Sequence, residues 1–312
     1  MAVIRTTVDA RAVRDALLRN LAHVVTASPA TLLPVVAAFV AGGHVLLEGV
    51  PGVGKTLLAR TLAQCLDGEF RRIQFTNDLM PGDVVGAAVW RPDLGKFTVQ
   101  KGPLFANVVL ADEINRTSPR TLSCLLEAME SGRVTLDGRT MELGQPFLVL
   151  ATRNPIEFHG TFPVPEAALD RFLVRVALAY PDAQDELDLY VGADPEAKLA
   201  EVRPVLTRDE ATQVRAACEH VAVSRPVAAF ALAVAQATRA HPDVQLGCSP
   251  RAAMAWLRLA RASALLDGRD YVLPDDLKAL AVPALAHRVF LRGGGDAEAL
   301  VADLARRTPA PL

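Results

Sequence analysis

The chain contains 312 residues, of which 51% are hydrophobic but only 5% are aromatic. This length is enough for one large domain or two ordinary ones, with a sizeable core of aliphatic side chains. The 33 basic and 35 acidic residues give a net charge of -2. That balance carries no signal for general nucleic-acid or membrane-surface binding, although it leaves room for a local basic channel. Nucleic acid is therefore not an expected partner.

The cysteines are scattered singly, without a CxxC pair or a Cys/His cluster, so neither a disulfide framework nor a zinc site is predicted. They are Cys65, Cys124, Cys218 and Cys248. Reduced thiols and a cytoplasmic location are expected. The N-terminus lacks the apolar core of a signal peptide. The most apolar window, residues 32–47, is interrupted by Pro34 and Gly42 and is too short for a membrane span.

In chain order, residues 12–41 are predicted to form two helices, after which apolar strand-like segments alternate with segments of helical period. The predicted strands are HVLLEG, RRIQFT, NVVLADE, PFLVLATRN and FLVRVALAY. Helices are predicted for KTLLARTLAQCL and SPRTLSCLLEAMES, the second with Ser118 as N-cap and Pro119 at its first position. Apolar strands separated by helices predict an α/β fold with a parallel sheet covered on both faces.

Two segments interrupt this alternation. GRVTLDGRTMEL has two short β-like arms around Asp137 and Gly138, which is a strong hairpin signal. GAAVWRPDLGKFTV predicts a second hairpin, turning between Pro92 and Gly95. Both hairpins, at 132–143 and 90–99, are expected to project from the sheet.

The pattern changes after Tyr180 and Pro181, where a polar, helix-prone segment begins. From Thr207 onward only helices are predicted, at 207–222, 226–240, 250–267 and 274–287. The predicted organisation is therefore an αβα core over residues 1–183, a linker over 184–206, and a smaller helical domain over 207–312.

The stretch GVPGVGKT, Gly49 to Thr56, fits the phosphate-loop pattern G-x-x-x-x-G-K-[ST] and lies between a strand and a helix, as that motif requires. Its backbone N–H groups would surround phosphates, Lys55 would reach the β- and γ-phosphates, and the Thr56 hydroxyl would bind Mg²⁺. A glycine-rich turn without a ligand is the alternative. The predicted nucleotide-binding residues are Gly49, Val50, Pro51, Gly52, Val53, Gly54, Lys55, Thr56 and Leu57.

The stretch VVLADEINR ends an apolar strand in Asp112 and Glu113. Adjacent carboxylates repel each other and resist desolvation, so something must compensate them. Because a phosphate loop precedes them, Asp112 is predicted to hold Mg²⁺ through water, and Glu113 is predicted to be the general base for the attacking water. The alternative is two solvent-exposed carboxylates at a strand end.

Two later residues have both a functional and a structural interpretation. Asn154 ends the strand of LVLATRNP, where its amide could position a water at the γ-phosphate, or it could be a turn residue before Pro155. Arg171 follows a short helix and has the planar donors suited to a transferring phosphate. Its alternative is a salt bridge with Asp170 or Glu166.

Arg251 lies in the first turn of a helix that Ser249 caps and Pro250 begins. A cation there opposes the helix dipole, so a nearby anion is expected. The alternative is a solvated surface arginine.

Together these stretches resemble the MoxR family of AAA+ ATPases, from about Gly42 to Arg175 and again around Arg251. The similarity rests on GGHVLLEGVPGVGKT, GPLFANVVLADEINR, LLEAMESGRVTLDG, ATRNP and PEAALDRFLVRV. It implies a five-stranded parallel αβα core with an all-α lid. The implied roles are Walker A for Gly49 to Thr56, the end of Walker B for Asp112 and Glu113, and sensor 1 for Asn154. Arg171 resembles an arginine finger acting in trans, and Arg251 resembles sensor 2.

The resemblance further implies ATP and Mg²⁺, a homo-oligomer in the form of a hexameric ring, and a chaperone-like role. The implied client is a partner protein with a von Willebrand factor A domain. Two departures stand out. The family's Val-Gly-Gln stretch is replaced by AHVVTASPATLLP, so no adenine contact is assigned. Arg153 replaces a glutamine, and it is expected either to touch phosphate or to face solvent.

Two other function classes share these motifs. A nucleotide-gated scaffold with negligible hydrolysis is favoured by the altered adenine-side segment. A nucleic-acid-translocating ring ATPase would need a basic hairpin, and both hairpins are only modestly basic. A GTPase or P-loop kinase fits poorly, because no N-K-x-D motif is present.

Overall fold

The computed structural model describes residues 8–153, 162–192 and 194–310. Its strands are β1 Val45–Glu48, β2 Phe70–Gln74, β3 Gly86–Arg91, β4 Lys96–Lys101, β5 Val108–Asp112, β6 Arg133–Leu136, β7 Arg139–Glu142, β8 Leu148–Arg153, β9 Val174–Ala177, β10 Val244–Leu246 and β11 Phe290–Leu291. Its helices are α1 Ala10–Val24, α2 Pro29–Val40, α3 Lys55–Cys65, α4 Pro81–Val85, α5 Pro119–Ser131, α6 Glu166–Leu169, α7 Ala183–Tyr190, α8 Pro195–Glu201, α9 Arg208–Glu219, α10 Arg225–Ala240, α11 Pro250–Leu266, α12 Pro274–Leu285 and α13 Ala297–Arg307.

The centre of the fold is a five-stranded parallel sheet in the order β2-β5-β8-β1-β9. Alternate residues of β1, β5 and β8 enter different cores. Val45 and Leu47 pack in one hydrophobic cluster, and Leu46 packs in the other. The predicted α/β fold with a parallel sheet covered on both faces is confirmed. Because β5, β8 and β1 are neighbours, their carboxyl ends bring separate parts of the sequence to one edge.

Both predicted hairpins are present, as β3 with β4 and β6 with β7. The predicted linker 184–206 overlaps two short helices, α7 and α8. The expectation of helices only after Thr207 was wrong, because β10 and β11 form a short antiparallel pair. The last helix, α13, was not predicted either. Within the described part of the chain, no helix has the length and apolar character needed to cross a membrane.

His44, just before β1, is buried and uses both ring nitrogens. Its Nε2–H donates to the Met129 carbonyl near the end of α5 (2.9 Å), and its Nδ1 accepts from the Val149 N–H of β8 (3.0 Å). Burial lowers the pKa of the imidazole to about 4, because the interior disfavours the charged ring. A neutral His44 therefore joins α5 to the sheet.

This arrangement predicts a pH-dependent stability. The unfolded imidazole titrates near 6.5 and the folded one near 4, so between these values the unfolded chain binds the additional proton. The free energy of unfolding should be fully present above the unfolded pKa and should fall by up to about 3 kcal/mol as the pH drops through this window. Denaturant unfolding of wild type and His44→Phe across the window measures the effect. An equal pH dependence in both proteins would contradict it.

Candidate functional site

The loop between β1 and α3 has the shape that a phosphate loop needs. A Cβ at Gly49 would lie 2.4 Å from the Leu178 carbonyl oxygen, so only glycine fits there. Gly54 has a φ of 88° and directly precedes α3. The unpaired N–H groups of the first turn of α3 therefore point toward the loop, which makes this end of the helix suited to an anion.

Lys55 is the first residue of α3 and is half-buried. Its Nζ donates to the Gly49 carbonyl at 2.7 Å. Burial lowers the pKa of the ammonium group, and the nearby carboxylates of Asp112 and Glu113 act in the opposite direction. The lysine is thus already directed into the loop and close to both predicted Walker B residues.

Asp112 ends β5, and each of its carboxylate oxygens has a partner. The Thr152 hydroxyl, on the adjacent strand β8, donates to Oδ1 at 2.5 Å. Arg72, on β2, places Nη2 at 2.5 Å from Oδ2. Arg72 therefore offsets part of the repulsion between the adjacent carboxylates of Asp112 and Glu113. Thr152 fixes the orientation of the Asp112 carboxylate.

Glu113 follows in a left-handed conformation with a φ of 58°, which costs a non-glycine residue about 1 kcal/mol. Its N–H donates to the Thr152 hydroxyl oxygen at 2.8 Å. Its side chain accepts from Gln74 Nε2 at 2.9 Å and pairs with Arg116 Nε at 3.0 Å. Each of the two carboxylates thus pairs with its own arginine, Asp112 with Arg72 and Glu113 with Arg116.

These residues surround one cleft of about 330 Å³. Its lining includes Gly52, Lys55, Thr56, Arg72, Asp112, Glu113 and Thr152. The sequence predicted the loop and the carboxylates. It did not predict Thr152, a polar residue near the end of β8, or Arg72, which lies in the middle of β2.

Arg171 and Arg251 lie together elsewhere, on one carboxylate. Arg171 Nη2 is 3.1 Å from Glu130 Oε2, and Arg251 Nη2 is 2.7 Å from Glu130 Oε1. Both arginines line a separate cleft of about 300 Å³ and neither lines the phosphate-loop cleft. The ion-pair partner is thus Glu130, rather than Asp170 or Glu166 for Arg171, and the expected anion near Arg251 is present.

The third strand end is only partly described. Asn154, predicted as sensor 1, lies outside the described residues. Arg153, immediately before it, pairs with the buried Glu48 of β1 at 2.5 Å. This partner follows from the strand register, in which Glu48 and Arg153 are opposite each other. Neither expectation for Arg153, a phosphate contact or solvent exposure, anticipated that ion pair.

A second cleft has a volume of about 450 Å³. It lies between the α1–α2 connection, residues 25–28, and the segment 177–182 that follows β9. These two segments flank the loop: a Cβ at Gly54 would lie 3.5 Å from Val25 Cγ1, and one at Gly49 would lie 2.4 Å from the Leu178 carbonyl oxygen. The segment without the family's Gly-Gln is therefore directly beside the phosphate loop.

Comparisons with known proteins agree with this geometry. A family model described as "ATPase family associated with various cellular activities (AAA)" matches residues 44–174, and an "AAA lid domain" model matches residues 236–304. A solved structure from Cytophaga hutchinsonii, assigned as an ATPase, is similar with a TM-score of 0.86 and 34% identity, covering 97% of each chain.

Sequence relatives are similar over most of their length. YeaC of Bacillus subtilis is 45% identical over 88% of each chain. Chaperone MoxR1 of Mycobacterium tuberculosis is 39% identical over 80% of this chain and 68% of its own. Protein MoxR of Methylorubrum extorquens is 34% identical over 88% and 86%, respectively. The chain therefore belongs to the MoxR family of nucleotide-binding AAA+ ATPases.

Proposed function

We propose that this chain is a Mg²⁺-dependent ATPase that hydrolyses ATP to ADP and phosphate. The observation that carries the proposal is the meeting of Lys55, Thr56, Asp112 and Glu113 around one cleft. Phosphoryl transfer needs a cation at the phosphates, oxygen ligands for a metal, and a base for water. The chain supplies all of these at the same edge of the sheet.

The residues present fit both nucleotide and metal. Lys55 Nζ donates to the Gly49 backbone carbonyl, an acceptor that a phosphate oxygen can replace. The Thr56 hydroxyl and the Asp112 carboxylate, the latter through water, are the oxygen ligands that Mg²⁺ prefers. When bound, Mg²⁺ neutralises charge on the β- and γ-phosphates. Thr152 holds the Asp112 carboxylate in a fixed orientation.

Glu113 would accept the proton of the attacking water. Gln74 and Arg116 hold its carboxylate at the cleft, and its side chain keeps 29% exposure, so water can reach it. Asn154 would position the same water, by resemblance to sensor 1. These roles divide the work of the two neighbouring carboxylates: Asp112 serves the metal and Glu113 serves the water.

Phosphate release at high protein concentration tests the proposal. We expect Mg²⁺-dependent release from wild type and background release from Lys55→Ala, because the variant lacks the cation at the γ-phosphate. Nucleotide binding without release above the Lys55→Ala background would instead support a nucleotide-gated scaffold.

The adenine base is proposed to occupy the cleft between residues 25–28 and 177–182. That cleft directly adjoins the phosphate loop through Val25 and Leu178. Its volume of about 450 Å³ is in the range of small-molecule sites. Backbone groups of the α1–α2 connection would replace the missing Gly-Gln contacts.

Ala27→Trp tests this position. Ala27 lines the cleft, so the indole should fill the space of the base and weaken ATP binding at least about tenfold. Tripolyphosphate, which has no base, should bind wild type and variant equally. Isothermal titration measures both ligands, with the exposed Ala30→Trp on α2 as the control. Unchanged ATP affinity in Ala27→Trp would exclude this cleft as the base site.

The site is proposed to be completed by another subunit of a homo-oligomeric ring, for which a hexamer is the expected size. Arg171 and Arg251 line a cleft separate from their own phosphate loop. Guanidinium groups that lie away from the phosphate loop of their own subunit are suited to contact the nucleotide of the next subunit. This arrangement extends the role in trans from Arg171 to Arg251.

We propose that ATP hydrolysis drives the remodelling of a client protein. The expected client is a protein with a von Willebrand factor A domain. Similarity to chaperone MoxR1 supports a chaperone-like role. The hairpin β3–β4 carries an exposed aromatic pair, Trp90 and Phe97, with ring centroids 5.2 Å apart. Such exposed aromatics are typical of protein contacts. The four free cysteines support a cytoplasmic setting.

Affinity capture with Glu113→Gln protein in the presence of ATP tests ring and client together. The expected result is a ring-sized complex containing a von Willebrand factor A protein. Loss of that protein from a Trp90→Ala/Phe97→Ala form of the bait would assign the contact to the hairpin. A monomeric bait with ATP bound would contradict the ring.

A further inference from the structure

Glu130, near the C-terminal end of α5, joins two distant parts of the chain. One carboxylate oxygen faces Arg171, after α6, and the other faces Arg251, at the start of α11. We propose that Glu130 is a positioning residue, which holds Arg171 and Arg251 as one two-arginine unit directed at the nucleotide of the adjoining subunit. This inference rests on the proposed function in trans.

The need for such a residue follows from the local charges. Arg171, Arg251, Arg258 and Arg288 all line the same cleft. The other carboxylate of the cleft, Asp170, lies 3.4 Å from Arg288, so it is not the partner of the two proposed catalytic arginines. Without Glu130, Arg171 and Arg251 would repel each other and lose their common acceptor.

Glu130 is suited to this task because its backbone is held firmly. The preceding residue, Met129, accepts a hydrogen bond from the buried His44, which is itself bonded to β8. Gly132 then ends the helix in a left-handed conformation. The carboxylate therefore extends from a fixed point of the core toward Arg251, which lies on a helix of the C-terminal part.

The cluster is also open to an incoming phosphate. The exposed fractions of the side chains are 25% for Arg171, 45% for Glu130 and 52% for Arg251. Arg251 uses only Nη2 toward Glu130, and a guanidinium has five N–H donors in a planar fork. Donors of Arg251 are therefore left for a second anion. The two arginines also lower the pKa of Glu130, so the carboxylate stays ionised while it holds them.

The first test compares Glu130→Ala and Glu130→Gln with Glu127→Ala. Glu127 is on the same helix and accepts from Thr135, away from both arginines. Both Glu130 variants should lower kcat about 10- to 100-fold, with KM for ATP within about twofold, because the nucleotide binds at a separate cleft. Glu127→Ala should match wild type. Thermal unfolding checks the fold of each variant.

Two results of this test would overturn the proposal. One is a kcat within about twofold of wild type in both Glu130 variants. The other is a fall confined to Glu130→Ala, because Gln keeps the size of the side chain and removes only its charge.

The second test separates this inference from the proposed function. Lys55→Ala subunits, which keep Glu130 and both arginines, should restore ATPase activity to Arg171→Ala subunits. The double variant Lys55→Ala/Glu130→Ala should restore at least about tenfold less ATPase activity than Lys55→Ala does. Equal rescue by both would overturn the role of Glu130 alone. If Lys55→Ala itself gives no rescue, the arrangement in trans is wrong, and the role of Glu130 is overturned with it.

Discussion

Replacing Glu113 by Gln should leave ATP binding intact while lowering the turnover number about 100-fold or more. The amide keeps the size of the side chain and still contacts Gln74, but it cannot accept the proton of water. Binding should be preserved because Lys55 and the loop, which would hold the phosphates, are unchanged. Nucleotide titration and single-turnover phosphate release measure the two quantities separately.

Glu127→Gln provides the matched control, since it makes the same chemical change at an exposed position of α5. It should hydrolyse ATP at the wild-type rate. A Glu113→Gln protein with normal turnover would end the assignment of Glu113 as base. Weak ATP binding in the same variant would instead make Glu113 a binding residue.

The parts of the site that could be predicted depend on local sequence. The phosphate loop needs glycines, a lysine and a hydroxyl at fixed spacing between a strand and a helix, and all of these are adjacent in the chain. Asp112 and Glu113 could be placed with it because carboxyl ends of neighbouring parallel strands meet at one edge of the sheet. Hairpins with Asp-Gly at the turn are equally local.

The partners of these residues could not be predicted, because they depend on strand order and helix packing. Arg72 reaches Asp112 only because β2 lies beside β5. Arg153 meets Glu48 only because β8 lies beside β1. Glu130 is far from Arg251 in the sequence, so nothing near either residue indicated their ion pair. The repulsion between the two carboxylates of VVLADEINR is therefore offset in part by Arg72, a residue that neither periodicity nor a motif connects to them.

A homomer of Arg171→Ala should be nearly inactive, with turnover lowered about 1000-fold or more, if this arginine acts as a finger on the transferring phosphate. The homomer of Lys55→Ala should be inactive for a different reason, because its own nucleotide site lacks the cation. Each subunit type keeps the half of the site that the other has lost.

Mixing the two inactive proteins should therefore restore hydrolysis. In a ring built from equal amounts of each, about one quarter of the interfaces pair an intact nucleotide site with an intact arginine, because every interface is heterologous. Turnover should rise toward that fraction of wild type and should depend on the mixing ratio, with its maximum near equal amounts. Phosphate release across a series of ratios measures it. If no ratio restores activity, Arg171 acts within its own subunit or has only a structural role. To act within its own subunit, it would have to reach its own phosphate loop, which would need closure of the C-terminal helices over that loop.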